Sequence, residues 1–277
     1  MAETVVAGGI ARASARDGLV GALLHGLAVL DMFDRDRPVV AVAEMARQLG
    51  VHRSTASRLA ATLAAAGYLE QAGEPGRYRL AAKLAVLGEL AANDSELRRA
   101  ALPYVRDLVQ RLGETGHLGV LDGAETVTVE VVDGWQTLRM HSWVGKRAPA
   151  HCSSMGKALL AGLTPAELTA RYPGNELAPR TAATITTRTR LEQVLDQVRT
   201  RGYAEDREEL ELHLCCVAAP VFDRSGQVAA SISVSGPASR ITAAAVPDIA
   251  VQVRAAARQI SAALGAPAAI PGWPDAA

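Results

Sequence analysis

Cysteine is scarce in this 277-residue chain, with three residues, and aromatics make up only 4%, two of them phenylalanine. Cys215 and Cys216 are adjacent and Cys152 stands alone, an odd count that argues against a disulfide framework. No CxxC or HxxxH spacing offers a zinc site, so no metal or cofactor is expected and the thiols should be reduced. Net charge is absent as well: 29 basic residues balance 29 acidic ones, which excludes a uniformly basic coat. No run approaches the roughly 18 apolar residues of a membrane span. The opening MAETVVAGGIARASARDG lacks the apolar core of a signal peptide, so a cytoplasmic protein without membrane partners is expected.

What is present is a soluble globular composition, 21% charged and 49% hydrophobic, in a chain long enough for two domains. The most informative stretch is VVAVAEMARQLGVHRSTASRLAATLAAAGYLEQAGEPGRYRL, from Val40 to Leu80. Met45, Ala46 and Leu49 repeat at helical spacing and Gly50 stands where a helix must stop. A second helix is expected from about Ser54, a good N-cap residue, burying Ala56, Leu59, Ala60 and Leu63. Arg53, Ser54, Ser57 and Arg58 are left on the opposite side. Two short helices around a Gly turn read as a helix-turn-helix. Tyr68–Gln71 and Arg77–Leu80 flank Gly73-Glu74-Pro75-Gly76, a hairpin that would make the motif winged. The competing reading is an amphipathic helix pair whose polar face is merely solvated, or one that serves protein contacts. Between residues 11 and 83 ten Arg and Lys outnumber seven Asp and Glu, a mild local excess suited to specific DNA contacts.

Around this piece the chain divides into a disordered tail (1–18), the winged helix-turn-helix (19–81), linking helices (82–112), an α+β domain (113–264) and a Pro/Ala-rich tail (265–277). Leu19–Phe33 reads as a first helix with Leu23, Leu27 and Leu30 on its stripe. Ala82–Leu90, packed by Leu84 and Leu87, and Glu96–Leu112 read as the linking helices, with Asn93-Asp94-Ser95 between them. Gly116–Leu121, Glu125–Val132 and Thr137–Trp143 read as strands separated by Asp122-Gly123 and Asp133-Gly134 turns. Ser154–Gly162 reads as a helix, and Thr164-Pro165-Ala166-Glu167 is a capping box that starts another. Leu191–Arg201 is a helix ending at Gly202, Cys215–Phe222 and Gln227–Ser235 are strands, and Thr242 is placed to cap a last helix reaching about Leu264. This order of elements is an α+β domain built on one sheet.

HCSSMGKALLAG and GYAEDREELELHLCCVAAPVFDRSGQVAASISVSGP, following a winged helix-turn-helix and two linking helices, resemble the IclR family of transcriptional regulators. The resemblance covers roughly residues 20 to 264 and is most specific at Gly202-Tyr203, Asp206, Glu208-Glu209, Cys216–Pro220 and Ser233–Gly236. It implies a GAF-like effector-binding domain, a homodimer or dimer of dimers, a double-stranded DNA operator, and control by a small molecule, expected to be an organic or aromatic carboxylic acid. Carried over by position, the effector pocket would comprise Met140, Ala148, Ser154, Met155, Asp206, Leu214, Cys216, Ser233 and Ser235. Two residue-level arguments agree. Ser154 and Met155 open a helix and so offer backbone N–H groups. Ser233 and Ser235 alternate along one strand and face one side, either the pocket or solvent. Cys216 can wall a pocket or simply pack in the core, and Met140 can be core filler. Asp206 would repel an acid, so its expected partner is a backbone N–H or the effector's hydroxyl. On the DNA side Arg53, Ser54, Thr55, Ser57, Arg58 and the wing's Arg77 are the candidates.

Enzymatic readings fare poorly. Gly156-Lys157 has His151 where a phosphate-binding loop has its first glycine, and Ala158 where magnesium needs a hydroxyl. His151, Cys152 and Ser153 are adjacent on the chain and so point apart, which does not make a nucleophile–base pair.

Overall fold

The computed structural model describes residues 20–34, 37–93 and 96–274, so the tail expected at 1–18 lies outside the described residues. The chain divides after Ala91 into two compact units.

The first unit runs α1 (Gly21–Leu30), β1 (Val40–Ala41), α2 (Val42–Leu49), α3 (Arg53–Ala65), β2 (Leu69–Gln71) and β3 (Arg77–Leu80), and α4 (Ala82–Asn93) follows. Gly50 ends α2 in the left-handed region at φ 66°, a conformation that costs glycine least. Val29, Met32, Val40, Met45, Ala56, Ala60, Leu69 and Tyr78 form the core. Four local expectations need correction. α3 starts at Arg53, one residue before Ser54, and its cap is His52, whose Nδ1 accepts from the Ser54 N–H at 3.3 Å. The wing is three-stranded, because Val40 and Ala41 pair with Tyr78 and Arg77. The expected α1 stripe is largely outside: Leu23 is 61% and Leu27 50% exposed, while Gly26, Ala28 and Val29 are buried. That helix, GALLHGLAVL, is apolar nearly all round, so period alone could not choose its inner face. On α4 Leu87 is exposed and Leu84 only half-buried, so they do not form a packed stripe.

The second unit comprises α5 (Glu96–Leu112), β4 (Thr115–Asp122), β5 (Glu125–Val132), β6 (Arg147–Pro149), a 3-10 turn (Ala150–Cys152), α6 (Ser154–Leu160), α7 (Pro165–Arg171), α8 (Arg188–Arg201), β7 (Ala204–Arg207), β8 (Leu214–Phe222), β9 (Val228–Pro237) and α9 (Val246–Ala263). The strands form one antiparallel sheet in the order β6-β5-β4-β9-β8-β7. Alternation gives this sheet two unlike faces. Leu118, Val217, Ala219, Ile232 and Val234 face a core shared with α5 and α9. The opposite face carries His117, Asp206, Cys216, Ser233 and Ser235, and α6, α7 and α8 contribute to the core on that side. Local signals place the flanking helices: the Thr164–Glu167 capping box is formed, and α8 ends at Gly202 with φ 75°.

Here too the structure departs from expectation. Thr137–Trp143 is not a strand; β5 pairs instead with the short β6. The carbonyls of that segment are taken by side chains, Leu138 O by Arg240 at 2.7 Å and Met140 O by the Thr115 hydroxyl at 3.3 Å, so no ladder forms. Asp133-Gly134 is not a hairpin turn, because Gly134 lies against the backbone of Gly113 and Glu114 with no space for a Cβ. Thr242 caps only a turn, its hydroxyl accepting from Ala245 N–H at 3.3 Å, and α9 itself begins at Val246. The segment expected to be a tail docks: Ile270 is buried and Trp273 meets Phe222 edge-on with ring centroids 5.2 Å apart.

Candidate functional site

Arg53, Ser54, Thr55, Ser57 and Arg58 are all exposed on α3, and Arg77 is exposed at the start of β3. Arg53, Arg58 and Arg77 form no ion pair among the described residues. Neighbouring Arg79 is tied to Glu70 at 2.6 Å and Arg37 to Asp34 and Glu44. Guanidiniums without an ion pair thus stand on both the helix and the wing, where phosphates can meet them. Arg58 also borders an apolar groove of about 590 Å³ between α1 and α3, walled by Leu23, Leu27, Leu59 and Leu63.

In the second unit Met140, Ala148, Ser154, Met155, Asp206, Cys216, Ser233 and Ser235 converge on one cavity of about 30 Å³. Leu214 is not part of its wall: it pairs with Pro237 at the sheet's end, one repeat beyond Cys216, and Leu210 lines the cavity instead. His117, Thr126, Thr128, Ser142, Lys146 and Ser153 complete the lining. These were not legible as site residues, because only the β4–β9 register sets His117 opposite Ser233. The one available signal was a histidine inside an otherwise apolar strand. Ser233 and Ser235 on β9 face the cavity rather than solvent, and Cys215 lies on the other face, in the core.

The polar groups of this cavity are unusually short of partners. Asp206 is 1% exposed; its Oδ1 accepts from the N–H groups of Glu209 at 2.8 Å and Leu210 at 3.4 Å, while Oδ2 has no partner. Burial pushes its carboxyl up to about 7, against the pull of nearby Lys157. Lys157, 1% exposed, forms an ion pair with Glu209, whose carboxyl is likewise raised by burial. His117 is 2% exposed with neither ring nitrogen partnered, and burial plus the Lys146 charge lowers its pKa to about 4. Ser142 Oγ is also unpartnered. Burial raises the Cys152 thiol to about 12 and the Cys216 thiol well above its ordinary value, so neither is activated as a nucleophile. Gly156-Lys157 finds a structural role: the glycine lets α6 lie on the Ala150 backbone, and the lysine supplies the buried cation.

The segment between β5 and β6 covers the cavity with Met140, Ser142 and Lys146. It is also fastened to the end of α5. The Trp135 indole N–H donates to Gln110 O at 3.3 Å, the Gln136 N–H donates to Gly113 O at 3.4 Å, and the indole ring fills the space beside Gly113.

Residues 22–73 match the IclR helix-turn-helix domain, and residues 90–262 match the bacterial transcriptional regulator IclR C-terminal domain. The chain is 35% identical over 250 residues to the transcriptional regulator XynR of Escherichia coli, covering 90% of this chain and 99% of XynR. It is 37% identical over 246 residues to KdgR of the same organism, covering 89% and 93%. Among solved structures, an IclR homologue from Microbacterium hydrocarbonoxydans complexed with 4-hydroxybenzoate superposes with a TM-score of 0.75 at 28% identity, covering 88% of this chain and 98% of that one. No helix among the described residues is long and apolar enough to cross a membrane. An exposed helix-turn-helix, a sheet with a polar cavity on one face and family matches over both units lead to one conclusion: this chain belongs to the IclR family of DNA-binding transcriptional regulators.

Proposed function

We propose that operator binding by this regulator is controlled by a small organic or aromatic acid held in the cavity of the second unit. The observation that carries this reading is the convergence of buried, unpartnered polar atoms, on His117, Ser142 and Asp206, around one cavity in a chain that also bears a DNA-reading motif. Buried polar groups are rarely left without partners, so such a cluster calls for an occupant. The complex of the M. hydrocarbonoxydans homologue with 4-hydroxybenzoate supports an acid as the occupant's class. At about 30 Å³ the empty space suits about two waters, so a ligand of several heavy atoms has to displace the covering segment.

That displacement supplies a route to the DNA. The cover hangs on the last turn of α5 through Trp135 and Gln136, and α5 follows α4 in the chain. An acid that prefers the open cover biases the arrangement of α5, and a coupling of about 1–3 kcal/mol, typical of allosteric proteins, would change operator affinity five- to 150-fold. At the DNA, α3 enters the major groove with Arg53, Ser54, Thr55, Ser57 and Arg58 near base edges and phosphates, while Arg77 on the wing reaches the flanking backbone. A homodimer or dimer of dimers would read a near-palindromic operator.

The test is a gel shift of the purified protein on the intergenic DNA beside its own gene, repeated with a panel of small organic and aromatic acids. A specific shift altered by one acid is expected. A specific shift indifferent to every acid refutes the control, and salt-insensitive or absent binding refutes the DNA reading.

A further inference from the structure

The two ends of the cavity carry different chemistry. Asp206 on β7 presents a free acceptor, Oδ2. His117 lies on β4, three interstrand spacings away in the order β4-β9-β8-β7 and two residues off Asp206 in register, about 16 Å between backbones. Both side chains line the same cavity, and a compact molecule seated between their polar atoms has to displace the covering segment. Lys146 lines the cavity near His117 and forms no ion pair among the described residues, its ammonium lying 5.2 Å from the Trp143 ring centre. His117 is the anomaly. Its neighbour across the strands, Ser233, bears a hydroxyl on the same face, yet both ring nitrogens lack a hydrogen-bond partner. A histidine buried only to fill space ties down at least one nitrogen, because the desolvated group otherwise stays unsatisfied.

We propose that His117 selects the effector: its ring N–H binds the carboxylate of a small acid held beside the Lys146 ammonium, and a hydroxyl at the acid's far end donates to Asp206 Oδ2. The effector is therefore a compact hydroxy acid with its two polar groups at opposite ends. This inference rests on the effector reading given above. A neutral imidazole has one donor and one acceptor nitrogen, so it can serve a carboxylate without being protonated. The second charge that a buried carboxylate needs is supplied by Lys146.

The experiment is calorimetric titration of the full chain with matched pairs, 4-hydroxybenzoate against benzoate and glycolate against acetate, on wild type, His117→Leu, His117→Asn and Asp206→Asn. Wild type should bind one hydroxy acid more tightly than its partner lacking the hydroxyl. His117→Leu should weaken both acids of that pair by about tenfold or more. His117→Asn, which keeps a donor, should recover part of the loss, and it also serves if the leucine variant fails to fold. Asp206→Asn should shrink the preference for the hydroxyl while leaving binding of the plain acid. Retention of every affinity within twofold in a folded His117 variant overturns the proposal. Failure of folded wild type to bind any acid removes the effector reading and this inference together. Acid binding that leaves the operator gel shift unchanged rejects the control of DNA binding while keeping His117.

Discussion

Replacing Lys157 by methionine keeps most of the side-chain volume and removes one charge from a site that is 1% exposed. Glu209 then loses its ion-pair partner and Asp206, already lacking a partner at Oδ2, loses the cation whose charge favours its ionised form. Breaking a buried pair by removing one member costs about 3–5 kcal/mol, because the survivor stays charged and desolvated. For a unit of this size each kcal/mol moves the melting temperature by about 2–4 °C, so a fall of roughly 6–20 °C is expected at pH 8. The pH dependence sharpens the test. Burial raises the carboxyls of both Asp206 and Glu209, so the folded state holds more protons than the unfolded one. For Asp206 the window lies between about 3.8 and about 7, and across it stability falls as pH rises. Lys157 limits that fall, so its loss should hurt at pH 8 and far less at pH 5, where both carboxyls can take up protons. The double variant Lys157→Met/Glu209→Gln, with the pair made neutral, should recover much of the deficit. Urea and thermal unfolding followed by circular dichroism at both pH values give the answer. A deficit under about 1 kcal/mol at pH 8, or one equal at both pH values, refutes the argument.

Three further outcomes follow from the same structure. Arg58→Ala should weaken operator binding and lower the slope of log affinity against log salt by about one, with calorimetric acid binding unchanged; equal loss of both would mean misfolding or a wrong assignment. Trp135→Ala, which frees the cavity cover from Gln110, should raise acid affinity because the cover opens at lower cost, but shrink the acid's effect on operator binding, read by calorimetry and by gel shifts with and without acid. Gly156→Ala would set a Cβ on the Ala150 backbone, so a loss of about 1–3 kcal/mol or more is expected in chemical unfolding.

Sequence chemistry that acts within a few residues was readable. The capping box at Thr164, the left-handed glycines at 50 and 202, and the apolar period of α5 each specify a boundary through hydrogen bonds or side chains of their own turn. Eight of the nine carried-over pocket positions converge on one cavity, with Leu214 the exception. The misreadings have two causes, one distant in the chain and one local. Thr137–Trp143 alternates like a strand, but its carbonyls found Arg240 and Thr115, residues distant in the chain. Ser54 has the chemistry of a cap, but His52 arrives first.

The sequence by itself determined the reader: α2, the glycine turn and α3, together with the class of domain that follows. Tertiary structure decided what that domain can hold. His117 became a cavity wall only when β4 paired with β9, and Lys157 became a buried cation only when α6 settled beside the loop that carries Glu209. Helical period, caps and turns are set by neighbours along the chain. Burial, ion pairing and the missing partners that mark a binding site are set by strands and helices that meet only when the sheet closes.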